Sequence, residues 1–159
     1  MSGLTLIHVI ISLIAIVAGV IVAEGLISVK RHERSTLVYM VTILLTSLTG
    51  FLFPFNGITP GIVFGIITVL LFIPTAIARF KSQMTGVWRL VFIVGSLLML
   101  YLNCVVLVVQ SFQKIPLLNA LAPTGNEPPI LAVQTVLLVT FLIVGFLSVR
   151  RFRPSLLRI

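Results

Sequence analysis

The chain has 159 residues, 59% of them hydrophobic and only 9% charged, with a mean hydropathy of +1.27. A water-soluble domain of this size cannot hide so much apolar surface, because small domains leave a large share of their surface wet. The formal charge of +8 raises nucleic acid as a partner, but the basic residues stand in short clusters beside apolar runs and no nucleic-acid-binding motif accompanies them, so that class is set aside.

A helix needs about 20 apolar residues to cross the hydrocarbon core of a bilayer. Taken in chain order, five runs are predicted to do so: residues 4–27, 37–53, 61–78, 86–112 and 130–149. A polar hinge from Ser28 to Thr36 separates the first two. Pro54, Asn56, Gly57 and Pro60 make a tight turn between the second and third, with Pro60 placed to begin a helix. Pro74 is expected to loosen the third helix near its end, since it cannot donate to the carbonyl of Leu70. Trp88 stands as an interfacial anchor at the start of the fourth run. The longest connection, residues 113–129, carries Pro116, Pro123, Pro128 and Pro129. The fold class expected is therefore all-α, a polytopic membrane bundle of five helices in a single domain.

Basic residues fix the orientation. Lys30, Arg31 and Arg34 fall in the first gap, Arg79, Lys81 and Arg89 bracket the third, and Arg150, Arg151, Arg153 and Arg158 close the chain. The second gap has none and the fourth has only Lys114. Basic loops are retained on the cytoplasmic side, so this alternation predicts the N-terminus outside and the C-terminus inside. Met1 to Val29 carries no Lys or Arg, unlike a secretory signal, and is expected to be a retained helix. A re-entrant hairpin made of the second and third runs would satisfy the charges equally well. Length favours two spans, because each run reaches roughly 26 Å at 1.5 Å per residue.

Small residues mark packing surfaces. Gly57, Gly61 and Gly65 recur every fourth residue around the start of the third helix, and Ser12, Ala15, Gly19 and Ala23 form a comparable stripe on the first. Such stripes let another backbone approach closely, either within the chain or in a homo-oligomer or larger complex.

The intramembrane polar residues concentrate in the outer half. His8, Thr49 and Gln134 lie about 6 Å from the outer helix ends, Thr46 about 10 Å and Asn103 about 14 Å, with Gln110 near the surface. Lipid offers these groups no hydrogen bond, so they must face one another, water or a ligand. Two readings follow: interhelical hydrogen bonding, or a pocket open to the outside for a small polar or amphipathic molecule such as a quinone or lipid. His8, Thr46, Thr49, Asn103, Gln110 and Gln134 would line that pocket. His8 is the ionisable member. His32 lies about 36 Å away along the helix direction, too far to share a haem iron, and no metal site is expected. Glu24, near the inner end of the first helix, is read as an ion-pair partner for nearby Lys30, Arg31, Arg79 or Arg89. Cys104, the only cysteine, has no base beside it in sequence and is read as a small apolar filler. No catalytic constellation is recognisable, so an enzyme is disfavoured.

Three short segments stand out: Lys30-Arg31-His32 after the first run, Gly50-Phe51-Leu52-Phe53-Pro54-Phe55 closing the second, and Leu121-Ala122-Pro123-Thr124 followed by Glu127-Pro128-Pro129. Together with His8 they resemble small uncharacterised multipass inner-membrane proteins of bacteria. The resemblance implies a bacterial plasma-membrane location and carries no chemistry. It would place Glu127 at the outer mouth above the polar residues. Two functions remain open from sequence: a ligand-binding or transport protein, and a non-catalytic accessory subunit docked on a larger membrane complex.

Overall fold

A computed structural model describes residues 3–54, 57 and 59–153. Among these residues six α-helices follow in order: α1 (Gly3–Ser28), α2 (Glu33–Gly50), α3 (Pro60–Ala76), α4 (Trp88–Lys114), the single turn α5 (Pro116–Asn119) and α6 (Pro128–Arg151). No strand occurs among the described residues. Helix α3 does not stop cleanly but widens into a π turn, Ile77–Lys81, three residues beyond Pro74. The loosening expected at Pro74 is therefore a local change of helical pitch that leads the chain on toward Arg79.

Among the described residues four helices are long and apolar enough to cross a membrane: α1, α3 with its π turn, α4 and α6. The second predicted run, α2, is not among them. It begins four residues earlier than the apolar run, inside the polar hinge, and so takes in Glu33, Arg34, Ser35 and Thr36. At the far end it stops at Gly50, leaving Phe51 to Phe53 in a turn. The connection before α6 is also shorter than sequence suggested, since α4 runs on to Lys114 and α5 forms within it.

Helix α4 is the axis of the bundle and packs against every other helix. Just over half of its apolar stretch is buried, against a fifth or less for α3 and α6. Its Ile93, Leu97, Met99 and Leu100 meet Ala15, Ala18, Val22 and Leu26 of α1 and Tyr39, Met40 and Ile43 of α2. The fully buried Tyr39 hydroxyl donates to the Ser96 carbonyl at 2.7 Å, tying α2 to α4. Outward faces carry Leu6, Ile10, Val17, Leu70, Leu142 and many similar side chains, a surface that water would penalise and hydrocarbon would not.

The glycines divide by role. A methyl group at Gly19 would lie 2.6 Å from Leu100 and 2.9 Å from the Tyr39 ring, and one at Gly65 would lie 2.9 Å from the Phe51 ring. Both therefore serve packing within the chain. Gly61 is exposed and meets only Thr59. Gly57 is not on the α3 face at all: it precedes the helix and adopts φ +106°, so its role is to make the turn. The three-glycine stripe read from sequence thus loses its first member.

Candidate functional site

His8, Ser12, Thr49 and Asn103 come together as two pairs. His8 and Ser12 are four apart on α1 and so share one face. His8 Nδ1 lies 2.9 Å from Thr49 Oγ1 of α2, and Ser12 Oγ donates to Asn103 Oδ1 of α4 at 2.9 Å. Asn103 Nδ2 returns a longer bond of 3.4 Å to the Ser12 carbonyl. The hydrogen bonds of Thr49 bear on the histidine tautomer. Its hydroxyl lies 2.7 Å from the Leu45 carbonyl and 3.2 Å from that of Thr46. With its one proton given to Leu45, Thr49 Oγ1 would accept from His8 Nδ1, which would leave Nε2 of the neutral ring as an acceptor. No partner meets Nε2 among the described residues. The ring is half-buried, and Phe53 stands edge-on to it with centroids 5.3 Å apart.

The remaining predicted residues do not join these pairs. Thr46 is buried and turns its hydroxyl back on the Thr42 carbonyl of its own helix. Gln110 buries its Oε1 without a partner, and Gln134 is half-buried on α6 with no hydrogen bond among the described residues. Glu127 is fully occupied in its own loop: Oε1 accepts from the backbone N–H and the hydroxyl of Thr124, both at 2.8 Å, and Oε2 accepts from Asn126 N–H at 2.9 Å. It orders the chain immediately before Pro128 starts α6. Bonding first to the Thr124 amide holds its carboxyl below its ordinary range. The loop's contribution to stability is accordingly present at neutral pH and fades as pH falls through that lowered value. Glu127→Gln should speed hydrogen exchange at the Thr124 and Asn126 amides, and should remove the acid-dependent loosening that the wild-type loop shows.

The opposite end of the bundle gathers the basic residues. Arg89 Nη1 donates to the carbonyls of Val149 and Phe152 at 2.9 and 2.7 Å, closing the last turn of α6. Arg79 Nη2 reaches Glu33 at 3.5 Å. Glu24 is paired, but not with the residues expected: it accepts from Ser28 Oγ at 2.6 Å and meets His32 Nε2 at 2.9 Å. That pairing exists because α1 ends in a left-handed residue, Val29 (φ 57°), with Lys30 N–H bonded to the Gly25 carbonyl. The reversal folds His32 over Gly25, where a methyl group would lie 2.7 Å from the ring. Lys30, Arg31, His32 and Arg79 line a cleft floored by Phe92 and Phe152. Sequence reading treated these residues as topology markers and as ion-pair partners for Glu24, not as the lining of one cleft. The usable signal was that two basic gaps and a basic C-terminal end assigned to one side must converge at one end of a bundle.

Among the described residues no group of three or more His, Cys, Asp or Glu side chains comes together. Cys104 is partly buried on α4. No protein family, curated protein or solved structure matches the chain.

Proposed function

We propose that the chain is a five-pass protein of a bacterial plasma membrane, N-terminus outside and C-terminus inside. In this reading it holds the polar head of a small amphipathic molecule at His8 and performs no chemistry on it. The fifth crossing would be α2. This helix runs antiparallel to α1 for most of its length, its Thr36 sharing the basic cleft with Leu26 and its Thr49 meeting His8. Its polarity is largely cancelled locally: Thr36, Thr42, Thr46, Ser47 and Thr49 each bond a carbonyl of the preceding turn. A hydroxyl satisfied in that way costs far less in hydrocarbon than a bare one.

The observation that carries the ligand reading is the half-buried His8 ring, held at Nδ1 by Thr49 and edge-on to Phe53, with no partner at Nε2 among the described residues. Such a nitrogen accepts, so the preferred ligand offers a hydroxyl: a quinol rather than its quinone, or a lipid alcohol. A short-chain benzoquinol should bind the purified protein about tenfold more tightly than the matching quinone, one hydrogen bond's worth of discrimination. His8→Phe should abolish that preference, and Thr49→Val should weaken it by freeing the tautomer. Equal binding of both redox forms, or quinol binding unchanged in His8→Phe, would overturn the reading.

A further inference from the structure

We infer that the cleft at the basic end of the bundle is a binding site for a phosphate-bearing anion. It lies at the far end of α1 from His8, so it stands or falls separately from the reading above. Three basic side chains, Lys30, Arg31 and Arg79, line it together with His32. Two carboxylates stand near them: Glu24 accepts from Ser28, meets His32 and lies close enough to Lys30 to feel its charge. Glu33 approaches Arg79 at 3.5 Å, a long contact for a guanidinium and a carboxylate, and is itself two-thirds exposed. Lys30 and Arg31 have no carboxylate within ion-pair distance among the described residues.

Arg31 supplies the second, independent observation. Its Nε is buried and has no hydrogen-bond partner among the described residues. A buried guanidinium N–H left unmade is costly, because it has lost water and gained nothing. The same side chain is a planar fork whose geometry matches two phosphate oxygens, which a single water cannot do. Size narrows the ligand further. The cleft is shallow: its volume is about 20 Å³, room for roughly one water, so it takes a charged oxygen of a head group seated at its mouth and not a large organic molecule. Phe92 and Phe152 make the floor apolar, which lowers the local dielectric and strengthens each charge-assisted bond above it.

A phosphate there comes either from solution or from the head of an anionic lipid. The test uses the full chain in nanodiscs of zwitterionic lipid, with thermal unfolding and ³¹P line width as readouts. One arm adds inorganic phosphate against chloride of matched ionic strength; the other dopes the disc with phosphatidic acid. A rise in unfolding temperature with phosphate alone assigns a soluble anion, and a rise only in the doped disc assigns a lipid head. Arg31→Gln should weaken the apparent affinity at least about tenfold, and Lys30→Gln should weaken it too. Arg34→Gln, which removes a charge outside the cleft, should leave it intact. If neither arm stabilises the wild-type protein beyond chloride, or if Arg31→Gln and Lys30→Gln respond as wild type does, the site does not exist. Should both variants misfold, the wild-type ³¹P line width still decides: broadening supports the site and an unchanged line rejects it.

Discussion

Gly95→Ala should be among the most damaging single substitutions in this chain, although it adds only a methyl group. A Cβ at this position would fall on Thr75 Oγ1, well inside contact distance, and 3.2 Å from Thr75 Cβ. Thr75 has nowhere to go. It is fully buried and its hydroxyl is bonded to the Leu71 carbonyl at 2.7 Å. Overpacking of this kind costs about 1–3 kcal/mol, and here the axis helix α4 must move away from α3 to relieve it. The expected result is a marked fall in unfolding temperature in detergent. Thr75→Ala deletes the offending oxygen and the Cγ2 methyl, so Gly95→Ala/Thr75→Ala should recover most of the loss. The coupling between the two sites should exceed about 1 kcal/mol. A double variant as unstable as the sum of the singles would show that α3 and α4 do not meet at this point.

Arg89→Met should be comparably severe for a different reason. The guanidinium holds two carbonyls at the end of α6, those of Val149 and Phe152, and α6 is otherwise the least buried of the apolar helices. Bonds from a charged donor are worth about 1.5–3 kcal/mol each, and removing the donor strands both acceptors. We expect a loss of about 2 kcal/mol or more, concentrated in the last turn of α6. Hydrogen exchange reads this directly. The Phe152 amide, bonded to Ser148 O at 2.9 Å, should lose its protection while amides around Gly95 keep theirs. Arg89→Lys should restore part of it, because an ammonium supplies charge without the planar fork. Uniform loss along the chain would contradict an α6-specific role for Arg89.

Much of the architecture could be read before any coordinates. Run length and hydropathy mark α1, α3, α4 and α6, and Pro60 does open α3 as its chemistry requires. The weakness lay in α2, whose start was placed by apolarity alone. A helix can begin inside a polar hinge when its hydroxyls bond back to their own turn, as Thr36 does to His32. Residue spacing put His8, Thr49 and Asn103 at related depths but could not say which would pair. That Ser12 rather than Gln134 meets a partner depends on the rotation of each helix, which is set by packing around α4. Gly95 escaped notice because its stripe has one member: the close approach is made by a threonine from another helix, and nothing in the local pattern shows it. The resemblance places Glu127 at the mouth above the polar residues. Its carboxylate instead finds three donors within its own turn, a local competition that position alone does not disclose.

The central claim is that the basic residues were retained on the cytoplasmic side, with α2 passing fully through the bilayer between Arg34 and Leu52. Single cysteines at Arg34, Leu52, Gln83 and Leu121, placed in a Cys104→Ser background and exposed to a membrane-impermeant maleimide in intact cells, test it most directly. The account predicts labelling of Leu52→Cys and Leu121→Cys from outside, and of Arg34→Cys and Gln83→Cys only after the membrane is opened. Labelling of Arg34→Cys and Leu52→Cys from the same side would mean that α2 does not cross, and the five-pass arrangement would be wrong.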